Sequence, residues 1–225
     1  MSAHAQPFDQ QRYQVRFEWG ADGLARLDPA DIVVVVDVLR FSSAVVDELD
    51  AGEPVALDAA AHAVSLNGAL VAERAAETGA LVMLGCLRNA AAVADAVLAE
   101  QARRGARTSV AVIAAGERSG PNAGAVVRFA VEDQLGAGAV IDALGGRGID
   151  HTSPEAAAAC EAFRGLRGAV RHLLTAAGSG QELLERGLRD EVLAAAELDA
   201  STSVPVLRDG VFVSAESSRR GGSRV

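Results

Sequence analysis

Five β-branched residues run without a break from Ile32 to Val36, opening at Asp31 and closing on Asp37. A short continuous run of this kind predicts a central strand buried on both faces. Two further apolar runs, Leu81 to Leu84 and Val110 to Ala115, close on Gly85 and Gly116 and predict strands of the same sheet. Tyr13 to Trp19 alternates polar and apolar residues as a half-buried strand does, and Pro54 to Leu57 is a short strand candidate. Between these runs the period changes. Ser42 to Leu49 and Asn67 to Glu77 read as helices. In Asn89 to Arg104 the residues Ala91, Val93, Ala94, Val97 and Leu98 share one helical face. Gly124 to Leu144 reads as a helical stretch broken or kinked near Gly136 and Gly138. Ser153-Pro154-Glu155 is a helix start, and helical pieces follow through Ala177 and from Gln181 to Ala196. Val204 to Leu207 and Val211 to Val213 flank Asp209-Gly210, a hairpin signal. Strands alternating with helices predict a three-layer α/β/α fold on a mainly parallel or mixed sheet. The expected organisation is a flexible N-terminus over 1–12, a single α/β domain over 13–214 and a disordered tail over 215–225.

Composition narrows the chemistry. All 21 basic residues are arginine, and no lysine occurs. This excludes a P-loop lysine and a Schiff-base lysine. A cationic site must use arginine, a metal, backbone N–H groups or protonated histidine. The net charge of −9 argues against nucleic acid as a partner, since the basic cluster Arg219, Arg220 and Arg224 falls in the Gly/Ser-rich tail. Cys86 and Cys160 match no metal-ligand spacing and suggest a reducing compartment. No apolar run approaches the roughly 20 residues of a membrane span. A cytoplasmic protein with no membrane partner is expected.

Ligands of parallel sheets bind beyond the carboxyl ends of strands. Four polar segments fall at such places: Asp37 to Arg40, Asn67-Gly68, Gly85 to Asn89 and Gly116-Glu117-Arg118. Asp37 is placed to hold Mg²⁺ or act as a nucleophile, and Arg40 to grip phosphate or sulfonate oxygens. A structural Asp–Arg pair at a helix start explains the same residues. Ser42 and Ser43 sit where helix N–H groups favour anions. Glu132 and Asp133 lie on one helix with side chains about 100° apart, so one faces a site while the other pairs, or both are solvated. Asn67-Gly68 also reads as a turn, and Asn89 as a helix cap. His62, His151 and His172 lack a partner at metal-ligand spacing. Cys86 and Trp19 read as packing residues.

Taken together, these segments resemble the 2-phosphosulfolactate phosphatase family, Mg²⁺-dependent enzymes of coenzyme M biosynthesis. Phe17-Glu18-Trp19-Gly20 is similar to the family's opening strand. Val33 to Arg40, VVVVDVLR, is similar to its most specific motif. Asn67-Gly68, Gly85 to Ala90 (GCLRNA), Ala130 to Gly138 (AVEDQLGAG), Gly180 to Gly187 and Val204 to Leu207 resemble later segments in the same order. The resemblance spans about Val15 to Val213. It departs at Phe41-Ser42-Ser43 and at Ala69, where the family carries other residues. It departs most at Glu53 to Leu66, which is shorter than the family's segment before Asn-Gly. The resemblance implies a Mg²⁺-dependent phosphatase acting on a small anionic phosphoester, 2-phosphosulfolactate or a related compound. Asp37, Glu132 and Asp133 would hold Mg²⁺, and Arg40 would neutralise phosphate oxygens. Ser42, Ser43, Asn67, Gly68, Arg88 and Asn89 would bind substrate. Two alternatives stay open. One is a non-catalytic small-anion binding or regulatory relative that kept the fold. The other is a homo-oligomer whose neighbouring subunit supplies the shortened wall.

Overall fold

In the computed structural model, Ile32–Val36 is strand β2, and all five of its residues are buried. Its side chains alternate between two cores. Ile32, Val34 and Val36 belong to one, and Val33 and Val35 to the other. The unbroken β-branched run is therefore the mark of a strand covered on both faces. The structure describes residues 7–64, 66–119 and 126–215. The Arg219, Arg220 and Arg224 cluster and the side chain of His62 lie outside the described residues.

In chain order the elements are β1 (Val15–Trp19), α1 (Gly20–Arg26), β2, α2 (Phe41–Asp50), β3 (Val55–Ala56), α3 (Ala59–Val64), α4 (Leu66–Glu77), β4 (Leu81–Gly85), α5 (Ala90–Arg104) and β5 (Val110–Ala114). They continue with β6 (Glu117–Arg118), β7 (Val127–Arg128), α6 (Val131–Gly145), α7 (Pro154–Leu166), α8 (Val170–Ala176), α9 (Gly178–Glu185), α10 (Arg189–Ala195), β8 (Pro205–Arg208) and β9 (Val211–Ser214). Seven strands form one sheet in the order β1-β5-β2-β4-β8-β9-β3, while β6 and β7 make a separate hairpin. The first four strands in that order are parallel and the other pairings antiparallel. The fold is a three-layer α/β/α arrangement on a mixed sheet. No helix among the described residues is long and apolar enough to cross a membrane.

Helices α5, α6 and α7 pack on the face that holds Val34, and α1, α2 and α4 on the face that holds Val33. The chain leaves β2 toward one face and leaves β4 and β5, its two neighbours, toward the other. The carboxyl end of β2 is thus the switch point at which such sheets open a crevice.

Local chemistry explains most boundaries. Ser153 caps α7 by accepting the Ala156 N–H at 3.1 Å, with Pro154 in the first turn. Asp209 and Gly210, with φ of 48° and 78°, make the tight turn between β8 and β9. The sequence reading fails at α6. Its expected start near Gly124 lies outside the described residues, Val127–Arg128 is a strand, and the helix runs unbroken through Gly136 and Gly138. These glycines serve close packing rather than a break. A Cβ on Gly138 would lie 2.2 Å from the Ala159 carbonyl oxygen of α7, and one on Gly136 would lie 2.5 Å from Val38 Cγ2. Gln10 is anchored, for its side-chain amide exchanges two hydrogen bonds with the Phe17 backbone, at 3.0 and 3.1 Å.

Candidate active site

Two buried carboxylates fasten the loop that leaves β2, one to α4 and one to the loop that leaves β5. Asp37, the residue after β2, accepts the Phe41 N–H through Oδ1 and the Gly68 N–H through Oδ2, both at 3.1 Å. It therefore joins the first turns of α2 and α4. The fit is close: a Cβ on Gly68 would stand 2.5 Å from Asp37 Oδ2. Asn67-Gly68 is part of the first turn of α4, not a free turn. Asp133, in the first turn of α6, accepts the Val38 N–H at 2.7 Å and the Gly116 N–H at 2.9 Å. Burial, then the charges of Asp37 and Glu132, hold the Asp133 carboxyl well above its usual range.

Most of the expected substrate-binding residues turn inward to the backbone. Ser42 Oγ accepts the Asp37 N–H and donates to the Val35 carbonyl, and Ser43 Oγ donates to the Val38 carbonyl at 2.8 Å. Asn67 donates to the Gly116 carbonyl at 2.8 Å. Asn89, fully buried, accepts the Cys86 N–H and donates to the carbonyls of Leu84 and Ser203. Arg88 is ion-paired with Asp47 and Asp50. Arg40, whose Leu39–Arg40 peptide is cis, is paired with Glu191 of α10. Cys86 is a packing residue, as expected, and burial pushes its thiol up to about 11.

Glu132 turns away from its neighbour Asp133, as adjacent helix positions must. It faces a cavity of about 240 Å³ at the carboxyl end of β5, lined also by Glu117, Arg118, Arg128, Ser179 and Glu182. Ser179, in the first turn of α9, hydrogen-bonds Glu117 Oε1 at 2.6 Å and Glu132 Oε1. A hydroxyl carries one proton. One of the two contacts therefore uses a carboxyl proton. Burial raises the Glu132 carboxyl above its ordinary value, which favours its protonated form.

Asp37, Glu132 and Asp133 do not gather as a triad. Each oxygen of Asp37 and of Asp133 accepts a backbone N–H group, and Glu132 points elsewhere. Among the described residues no group of three or more His, Cys, Asp or Glu side chains is arranged to hold a metal ion. This donor set does not fit a Mg²⁺ cage.

Sequence reasoning marked Gly116-Glu117-Arg118 as a strand end but gave Glu117 and Arg118 no role, and it missed Arg128 and Ser179. The strand-end rule was the available signal for Glu117. Ser179 lies 62 residues from Glu117 and 47 from Glu132 in the chain, so no local spacing joins them.

Comparison with known proteins bears on this crevice. The family model of 2-phosphosulpholactate phosphatase matches residues 54–210, most of the chain. The chain belongs to this family. A relative from Gloeobacter violaceus, "Probable 2-phosphosulfolactate phosphatase", is 39% identical over 77 residues, 34% of this chain and 31% of its own length. A relative of the same name from Symbiobacterium thermophilum is 33% identical over 93 residues, 40% of each chain. The aligned stretches thus span well under half the length of these relatives.

Proposed function

We propose that this member of the family hydrolyses a small anionic phosphate monoester, 2-phosphosulfolactate or a related compound, at the carboxyl ends of β2 and β5. The observation that carries this reading is the cavity that Arg118 and Arg128 line together with a buried Glu132 whose carboxyl is raised above its ordinary value. Guanidinium groups suit phosphate oxygens and, without lysine, are the side chains that serve at all pH values. Arg40 adds a third cation at the neighbouring strand end. In the proposed step water attacks phosphorus, the P–O bond to the leaving group breaks, Glu132 gives its proton to the departing oxygen, and the proton that the attacking water loses passes by way of the phosphate oxygens back to Glu132. A raised carboxyl pKa suits a general acid. Asp37 and Asp133 position the loops. Because the described residues form no all-protein cage for Mg²⁺, no step is routed through it.

Turnover of a phosphomonoester panel, in EDTA and again with Mg²⁺, tests the reading. Glu132→Gln should lower kcat by about 10²- to 10⁴-fold, the usual worth of a general acid. Arg118→Ala should lower kcat/KM about 10- to 100-fold, the loss of a charged hydrogen bond. Wild-type activity should fall as pH rises through the Glu132 pKa, because the protonated form is the active one, and E132Q should lose that limb. A panel with no turnover under either condition would favour the second reading, an anion-binding relative without catalysis. That reading draws on the shortened segment and on an Asp37 whose two oxygens each accept a backbone N–H.

A further inference from the structure

Helices α9 and α10 are fastened to the strand ends at two points. Ser179 of α9 holds Glu117 and Glu132, and Glu191 in the first turn of α10 holds Arg40, 151 residues away in the chain. The two fastenings differ in kind. Ser179 is buried, whereas the Arg40 and Glu191 side chains are 26% and 44% exposed.

The arginines near the sheet's carboxyl end differ in the same way. Arg88 is 12% exposed and faces two carboxylates, so its charge is already answered. Arg40 meets a single carboxylate among the described residues, and water reaches both partners. Such a pair is weak and exchangeable. A phosphate offers more charge and more acceptor oxygens than one carboxylate, so it is the stronger partner for a guanidinium. Glu191 can return to water when displaced.

We propose that Glu191 is an intramolecular competitor for the anion that Arg40 takes, so that α10 sets how tightly the strand-end crevice holds phosphate. This rests on the reading of the crevice as a phosphate site. A bound phosphate replaces Glu191 at Arg40 and releases the first turn of α10 from the β2 loop, while Ser179 keeps α9 in place. Glu191 thus sets affinity, acting by occupancy rather than by touching the substrate.

Calorimetric titration with inorganic phosphate, which needs no turnover, tests the proposal on four proteins: wild type, Glu191→Gln, Asp190→Asn and Arg40→Ala. E191Q should bind phosphate roughly fivefold more tightly, the factor matching about 1 kcal/mol for an exposed pair. D190N removes the same charge one residue away, from an exposed position, and should leave the affinity at the wild-type value. R40A should bind more weakly than wild type, and adding E191Q to it should restore nothing. E191Q binding no more tightly than wild type, or D190N gaining as much, overturns the competitor role while leaving the phosphatase reading to its own turnover assay. Absence of phosphate binding in both wild type and E191Q overturns the proposal as well.

Discussion

Asp133→Ala should destabilise the fold by about 2–6 kcal/mol, one buried N–H left without an acceptor at each of Val38 and Gly116. The Asp133 carboxylate ties the loop after β2 to the loop after β5 through both of its oxygens. Urea melts at constant pH measure the effect, and a loss below about 1 kcal/mol would mean that other groups take over these donors. The same carboxyl gives a pH signature. Its folded pKa is raised above the unfolded value near 3.8. Between those two values the native protein holds a proton that the unfolded chain has released. Stability therefore falls as pH rises through that window, and Glu132 contributes in the same direction. Asp133→Asn should flatten the decline. A slope unchanged in that variant would place the titration elsewhere.

Gly138→Ala should be the most damaging single-methyl addition in α6. The new Cβ would stand 2.2 Å from the Ala159 carbonyl oxygen and 2.7 Å from Phe163 Cβ, so α7 has to move. Overpacking of this kind costs about 1–3 kcal/mol, more than the ~1 kcal/mol of helix propensity that alanine regains. Gly145→Ala is the matched control on the same helix. Nothing lies within 4 Å of a Cβ there, so it should be neutral or stabilising by up to ~1 kcal/mol. Thermal melts of the two variants should move in opposite directions. Equal shifts would show that the α6–α7 contact yields.

These two positions also show what the sequence could disclose. Asp133 was legible as a candidate because it forms an acidic pair with Glu132 on a predicted helix that resembles a family segment. Its function in the fold was not, because its partners are backbone N–H groups at Val38 and Gly116, and no residue type announces a backbone donor. Gly138 was misread because glycine inside a helical pattern signals either a break or a close approach, and only the neighbour across the interface decides. The β2 run needed no such neighbour: a β-branched stretch with no polar face has to be covered on both sides. The hairpin at Asp209-Gly210 was equally local. Arg40 was legible as a cation at a strand end. That Glu191 occupies it was not, since a pair formed across 151 residues leaves no spacing to read. The cavity at Glu117, Glu132 and Ser179 joins three separate segments and became visible only with the fold.

The sheet's two borders bear on how this protein behaves when crowded. One border is β3, which is two residues long. The other is β1, where the Val15 N–H donates to the His151 carbonyl at 3.1 Å and the Val15 carbonyl accepts the Ser153 N–H at 2.9 Å. A foreign strand therefore finds too few open backbone groups on one side and a partly occupied row on the other. An apolar seven-stranded sheet would otherwise be a template for cross-β growth. The two-residue length of β3 thus leaves a templating strand little to pair with.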